Sequence, residues 1–218
     1  NSSLPQAARF LQPSGASRLL EVTTLISPES DHISAGSYCI DNAFDDQFLD
    51  VITNLYKSLQ EDDPAVKQHG YVLQSNHASR RTHYCDTEGW LCDRVADIFK
   101  RCRQQHSSFP TWQRALPRFR FISYDDVESY LAPHLDFSIP IPACNRSSTH
   151  TFILYLTSCA KGGETLLLER LTQCKDILNE TLAGVRCAVK PLRGRIFIFP
   201  HACPHAGRPV ADPPKLIL

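Results

Sequence analysis

The sequence predicts an α+β chain that is mainly β, with a two-sheet core of sandwich or barrel type and two helices packed on one sheet. Two amphipathic segments precede Pro117, and six short β-prone runs follow it, punctuated by Pro/Gly turns. Helices first and strands second segregate the helices to one face of the sheets instead of interleaving them. The 218 residues suit one domain. A content of 42% hydrophobic and 21% charged residues is an ordinary globular balance able to bury a core.

Residues 1–36 are rich in Ser, Pro and Ala without a sustained period, and read as an N-terminal arm with little core of its own. Residues 37–218 read as a single domain, with helical support over 37–117 and the β core over 118–218. "YCIDNAF" (38–44) is a short strand leading into a helix that Asp45 or Asp46 can cap. Phe48, Val51, Ile52, Leu55 and Leu59 keep helical spacing until "EDDP" (61–64) ends the run. Leu91, Val95, Ile98, Phe99 and Cys102 mark a second helix in the same way. The strands are "RFRFISY" (118–124), "THTFILYLT" (149–157), "ETLLLE" (164–169), "CAVKP" (187–191), "RGRIFIFP" (193–200) and "KLIL" (215–218), with "KGG" (161–163) and "PLRG" (191–194) as turns.

The formal net charge is zero, so no global basic excess points to nucleic acid or an anionic membrane. No apolar run reaches the roughly 18 residues of a helical membrane span. The nine cysteines are odd in number, include no Cys-x-x-Cys pair and often sit in apolar runs. They read as buried free thiols, which favours the cytoplasm or nucleus, with the endoplasmic reticulum as the alternative. The chain begins at Asn1 and contains no methionine, so a processed or trimmed form is expected.

"PHLDF" holds His134 and Asp136. On a strand, residues i and i+2 point to one side, so an imidazole and a carboxylate can reach one point. Alone this is weak, since a His and an Asp in a surface loop give the same letters. A second histidine from a later strand completes a 2-His-1-carboxylate facial triad, and "PHAGRPV" supplies His205. Such a triad leaves open positions for a chelating 2-oxo acid and for O2. Lys215, ten residues on, can answer the far carboxylate of that acid. The local pattern His201-x-Cys203-x-His205 also invites zinc. That ion needs a fourth ligand in tetrahedral geometry, and residues two apart on one strand wrap a single ion poorly. His201 therefore reads as a neighbour of the ligand and Cys203 as a packed thiol. Glu164 of "GGET" is a competing carboxylate with poorer spacing than Asp136.

From Tyr124 to the end the chain resembles the Fe(II)/2-oxoglutarate dioxygenases of the prolyl 4-hydroxylase type. The residues that carry the likeness are Tyr124 with "PHLD", "THTFILYLT", "GGET", "VKPLRGRIFIF", "HAGRPV" and Lys215, in that order and spacing. "IDNAFDDQFLDVITNL" is similar to the opening helix of that family. The chain departs from it at Leu131, where many relatives carry Tyr.

The resemblance implies a double-stranded β-helix, or jelly-roll, with iron at its open end. His134, Asp136 and His205 would hold Fe(II), Lys215 would pair with the distal carboxylate of 2-oxoglutarate, and Tyr124, Tyr155 and Thr151 would line the cosubstrate pocket. The charges of Fe(II), Asp136, 2-oxoglutarate and Lys215 then sum to zero, which a desolvated pocket tolerates. The implied reaction hydroxylates a C–H bond, foremost of a prolyl residue in a protein or peptide, with O2 consumed, succinate and CO2 released, and ascorbate in support. One alternative keeps the chemistry on a free amino acid, another small molecule or a nucleic-acid base. Another, of a different class, is a non-catalytic module that binds iron or 2-oxoglutarate.

Overall fold

The computed structural model describes residues 19–61, 79–111 and 114–218. Strands β1 (Glu21–Ile26) and β2 (Ser37–Asp41) precede helix α1 (Asp46–Glu61). Strand β3 (Arg80–Cys85) and helix α2 (Trp90–Gln105) lead into β4 (Arg118–Tyr124). Then follow β5 (Leu131–His134), β6 (Pro140–Ile141), β7 (Arg146–Ser147), β8 (His150–Leu154), β9 (Thr165–Leu168), β10 (Val185–Val189), β11 (Ile196–Pro200), β12 (His205–Gly207) and β13 (Lys215–Ile217). All six runs read as strands contain a strand, and both periodic segments are helices.

Apart from β6 and β7, which pair with each other in a small sheet of their own, the strands form two antiparallel layers. One holds β1-β2-β11-β8. It continues into β13-β4-β3, because the end of β8 and the residues after it bond to β13 and Leu218: Leu154 N–H donates to Leu218 O (2.7 Å) and Leu156 N–H to Leu216 O (2.9 Å). The opposing layer is β10-β9-β12-β5. From β4 onward the chain passes back and forth between the layers, which is the jelly-roll winding expected.

Period-2 alternation explains why "IFIF" is apolar throughout. Ile196 and Ile198 of β11 turn outward to a cluster with Ile52, Leu55, Leu91, Val95 and Ile98 of the helices. Phe197 and Phe199 turn inward to a second cluster with Tyr124, Tyr155, Leu167 and Val210 inside the barrel. A sheet covered on both faces needs apolar residues at both parities. Helices α1 and α2 thus pack on one sheet, while the short 3-10 helix Cys174–Leu178 sets Ile177 against the opposing layer. Asp45 caps α1, its Oδ1 accepting from Phe48 N–H (2.8 Å). Asp86 Oδ2 accepts from Leu91 and Cys92 N–H (both 2.9 Å) at the start of α2.

Besides the two-residue β6 and β7, two longer strands lie where the sequence reading had none. Of the arm, residues 1–18 lie outside the described residues, but β1 pairs along β2 and buries Ile26. Strand β3 falls between the two helices, in a stretch to which the sequence patterns assign no element. Its letters, RRTHYC, are polar, yet Thr82 and Tyr84 are buried and alternate with the more exposed Arg81, His83 and Cys85. Alternation survives there without apolar residues to advertise it. The nine cysteines are free, as expected, and five are buried. Burial pushes the Cys39 thiol up to about 12 and those of Cys92, Cys102 and Cys203 up to about 11, which keeps them protonated and unreactive.

"KGG" turns the chain where it has no room for a side chain. Gly162 has φ +70°, and a Cβ there would lie 2.3 Å from Pro209 O and 3.0 Å from Ala211 N. Both contacts are to backbone and neither can swing away. Gly162→Ala is expected to cost about 3 kcal/mol, a melting temperature lower by roughly 6–12 °C for a chain of this size. A thermal melt within about 2 °C of wild type would contradict this reading.

Candidate metal centre

His134 closes β5, and His205 opens β12 directly opposite it in the antiparallel ladder. The register alone brings the two imidazoles together, with ring centroids 4.0 Å apart. Asp136 follows two residues after His134, its N–H held by His201 O (3.3 Å) as the chain leaves the strand. One ligand atom from each of the three lies within 4.8 Å of the others, and this is the one such group among the described residues. Asp136 Oδ1 stands 3.8 Å from His134 Nε2, and Oδ2 stands 3.6 Å from His205 Nε2.

Tautomers follow from the outer nitrogens. His134 Nδ1 lies 2.8 Å from Ala132 O, and His205 Nδ1 lies 3.0 Å from Cys203 O. A carbonyl can only accept, so both Nδ1 atoms carry the proton and both Nε2 lone pairs face the common point. Burial depresses both imidazoles, His205 to about 4, where His134 and Arg120 add to the effect. They are neutral at pH 7, so the separations to Asp136 describe a ligand set and not ion pairs. Burial pushes the Asp136 carboxyl up, but His205, the Thr151 hydroxyl and His134 outweigh it and hold it below its ordinary value. Two neutral imidazoles and one carboxylate are the donor set that suits a divalent iron with an open face.

A chain of hydrogen bonds fixes the carboxylate. The Thr151 hydroxyl donates to Asp136 Oδ2 (2.5 Å) and lies 2.9 Å from His201 Nδ1, and His201 Nε2 lies 2.8 Å from Ser148 Oγ. The directions that satisfy every group run from Ser148 through His201 and Thr151 to Asp136. His201, with both nitrogens so engaged, orients a ligand and is not one. Thr151 gives its hydroxyl to this chain. Ser148 was not found in the sequence, where it is one hydroxyl among several in "RSSTH" with no periodicity to single it out. Cys203, fully buried, stays outside the ligand group. Thr151→Val is expected to weaken metal binding by about 10- to 100-fold with little loss of fold. Titration with Co(II), followed by its visible absorption, reads the affinity directly.

Lys215 lies inside the barrel, 1% exposed, across from Tyr124 in the β13–β4 ladder, and its ammonium sits 4.7 Å from the centre of the Tyr124 ring. No salt bridge reaches it among the described residues. Burial pushes it down to about 8, with the Cys159 thiol and Glu164 carboxylate acting the other way. Burial likewise raises the Tyr124 phenol to about 12. Tyr155 is fully buried and its hydroxyl donates to Thr165 Oγ1 (2.7 Å). Glu164 does not join the metal ligands, and its Oε2 is buried without a partner.

Residues 119–218 match the profile of the 2OG-Fe(II) oxygenase superfamily. No curated protein matches the sequence. Solved structures of similar fold include a viral collagen prolyl hydroxylase from Paramecium Bursaria Chlorella virus-1 (16% identity, 84% of this chain and 92% of that one, TM-score 0.50). A prolyl hydroxylase from Trichoplax adhaerens, in complex with a hypoxia inducible factor oxygen degradation domain peptide fragment, is similar at 13% identity (84% and 81%, TM-score 0.53). A prolyl-4-hydroxylase from Pseudomonas putida is similar at 12% (84% and 89%, TM-score 0.50).

Proposed function

We propose that this chain, whose residues 119–218 match the 2OG-Fe(II) oxygenase superfamily, hydroxylates a prolyl residue of a protein or peptide while 2-oxoglutarate is converted to succinate and CO2. One atom of O2 enters the new hydroxyl and the other the succinate. The observation that carries this reading is the ligand set: His134, Asp136 and His205 converge within 4.8 Å with both Nε2 lone pairs free.

Bound Fe(II) would supply the oxidising chemistry by activating O2 against the 2-oxo acid. The residues do the rest. The two Nδ1–H bonds to carbonyls keep the imidazoles turned to the metal. Thr151 and His201 keep Asp136 in its rotamer. Lys215, at the buried end, would pair with the distal carboxylate, and Tyr124 beside it would orient the same group. The packed cluster of Phe197, Phe199, Leu167 and Val210 excludes water from the interior. A peptide substrate is favoured by the rim, where Leu135, Phe137 and Ile139 flank the metal ligand Asp136 and remain exposed, Phe137 at 90%.

The test is succinate release from purified chain with Fe(II), ascorbate and 2-oxoglutarate, against proline-containing peptides, free amino acids and oligonucleotides. Turnover coupled to a peptide, with a gain of one oxygen on proline, is the expected result. Coupling only to a free amino acid or an oligonucleotide would move the same chemistry to that substrate. No release at all, with no Fe(II) bound, would leave a non-catalytic module.

A further inference from the structure

We propose that Arg81 and Arg120 form an anion-recognition strip beside the metal centre and that the peptide substrate is acidic, with an Asp or Glu close to the reacting residue. The inference rests on the peptide reading above and narrows its substrate class.

Strand β4 alternates. Phe119 and Phe121 turn to the helices, whereas Ile122 and Tyr124 turn into the barrel. Arg118 and Arg120 share the parity of Ile122 and Tyr124, so they extend the barrel face. The ladders carry that face sideways. Lys215 is opposite Tyr124 and Ile217 opposite Ile122 on one flank. Arg81 is opposite Ile122 and His83 opposite Arg120 on the other. Along this face burial falls from Lys215 and Tyr124, deep in the barrel, to the exposed side chain of Arg120. The strip lies on the metal side of the sheet: the charge of Arg120 acts on His134, Asp136 and His205, and that of Arg81 on His134 and Tyr124.

No carboxylate among the described residues answers these cations. Among the described residues neither Arg81 nor Arg120 makes a salt bridge. Arg80, which points to the opposite face, does have one, with Asp125 at 3.8 Å. Arg81 Nε is buried with no hydrogen-bond partner. Burial and the neighbouring Arg120 both push the Arg81 guanidinium below its ordinary range. A desolvated donor beside a like charge is a cost that a carboxylate ligand relieves, and a planar guanidinium matches a carboxylate with two parallel bonds. The distal carboxylate of 2-oxoglutarate has its own partner in Lys215, deeper in the barrel. The strip is therefore left for a group that enters from outside, and a peptide laid over the exposed Leu135 and Phe137 could bring an acidic side chain to it.

The experiment is binding, with oxygen excluded, of fluorescent proline peptides to the chain loaded with Fe(II) and 2-oxoglutarate. The peptides differ only in one flanking residue: Asp, Asn or Lys. The Asp peptide is expected to bind about tenfold tighter than the Asn peptide, the size of one charge-assisted hydrogen bond, and the gap should close near about 0.5 M salt. Arg81→Gln and Arg120→Gln should each erase most of the gap. Arg120→Glu should reverse the order, so that the Lys peptide binds better; a misfolded chain cannot produce that gain. Equal binding of Asp and Asn peptides by wild type, or an Arg120→Glu chain that still prefers Asp, overturns the strip. Admitting air and weighing the peptides reads the other question separately. Absence of an added oxygen on every peptide would sink the prolyl reading, while the strip stands or falls on the binding alone.

Discussion

Asp136→Ala is expected to abolish metal-dependent turnover, with succinate release reduced by on the order of 10³-fold or more. Asp136 is the only anionic member of the ligand set, and the two histidines that remain are neutral. Two imidazoles without a carboxylate neither balance a divalent charge nor define a face of three. The change also leaves the Thr151 hydroxyl, 2.5 Å from Oδ2, without its acceptor. Asp136→Asn keeps the shape and removes the charge, so it separates the two effects. Its metal affinity should fall nearly as far as that of the alanine variant, while its thermal melt in the absence of metal should stay close to wild type. Succinate release above about a tenth of wild type from either variant would show that the cluster is not the reaction centre.

Lys215→Met is expected to raise KM for 2-oxoglutarate by about 10²-fold or more, the scale of losing one partner of a buried, hydrogen-bonded charge pair. Methionine keeps the length and apolar stem, so the fit against Gly163 and Cys159 is largely preserved. The pH dependence gives an independent check. With burial holding Lys215 at about 8, its ammonium is intact below that pH and is lost as pH rises through it. Cys159, Glu164 and the Tyr124 ring face it, and burial keeps the thiol and the phenol protonated near pH 8. Above about pH 8 a dianionic cosubstrate must therefore bind together with a proton, and KM should rise about tenfold per pH unit. The methionine variant should lose that limb. A KM within about twofold of wild type would remove Lys215 from the role of anchor.

Much of this architecture was legible because its physics is local. The helices announced themselves through Phe48, Ile52 and Leu55, and through Leu91, Val95 and Ile98, since one apolar stripe suffices for a helix packed on a sheet. The central strands announced themselves as unbroken apolar runs because both of their faces are covered. Strand β3 did not, since it alternates buried Thr82 and Tyr84 with arginines and a histidine. The ligand residues were legible from spacing, but the reason their imidazoles share one tautomer was not. That reason is a pair of carbonyls, Ala132 O and Cys203 O, whose positions depend on backbone direction and leave no trace in residue type. Ser148 was hidden likewise, and His201, read from the sequence as a neighbour of the ligand, gave no sign of its partners, because a hydrogen-bonded chain across three loops has no period. The pairing of "RFRF" parity with Arg81 required the ladder register, which single-strand patterning does not contain.

The direct register of His134 against His205 also has a consequence for how the molecule comes apart. The two residues are neighbours through a backbone ladder, yet the whole of the chain from β6 to β11 lies between them in sequence. A metal that bridges them closes a very long covalent loop with a clasp of its own. It pins β5, a four-residue strand at the edge of its sheet, to β12. The unfolded chain, with its three donors scattered, cannot match that grip. Every factor of ten in metal concentration above the dissociation constant therefore adds about 1.4 kcal/mol of resistance to unfolding. Metal affinity and conformational stability become two readings of one quantity, and a melt recorded at several metal concentrations is a binding curve in another form.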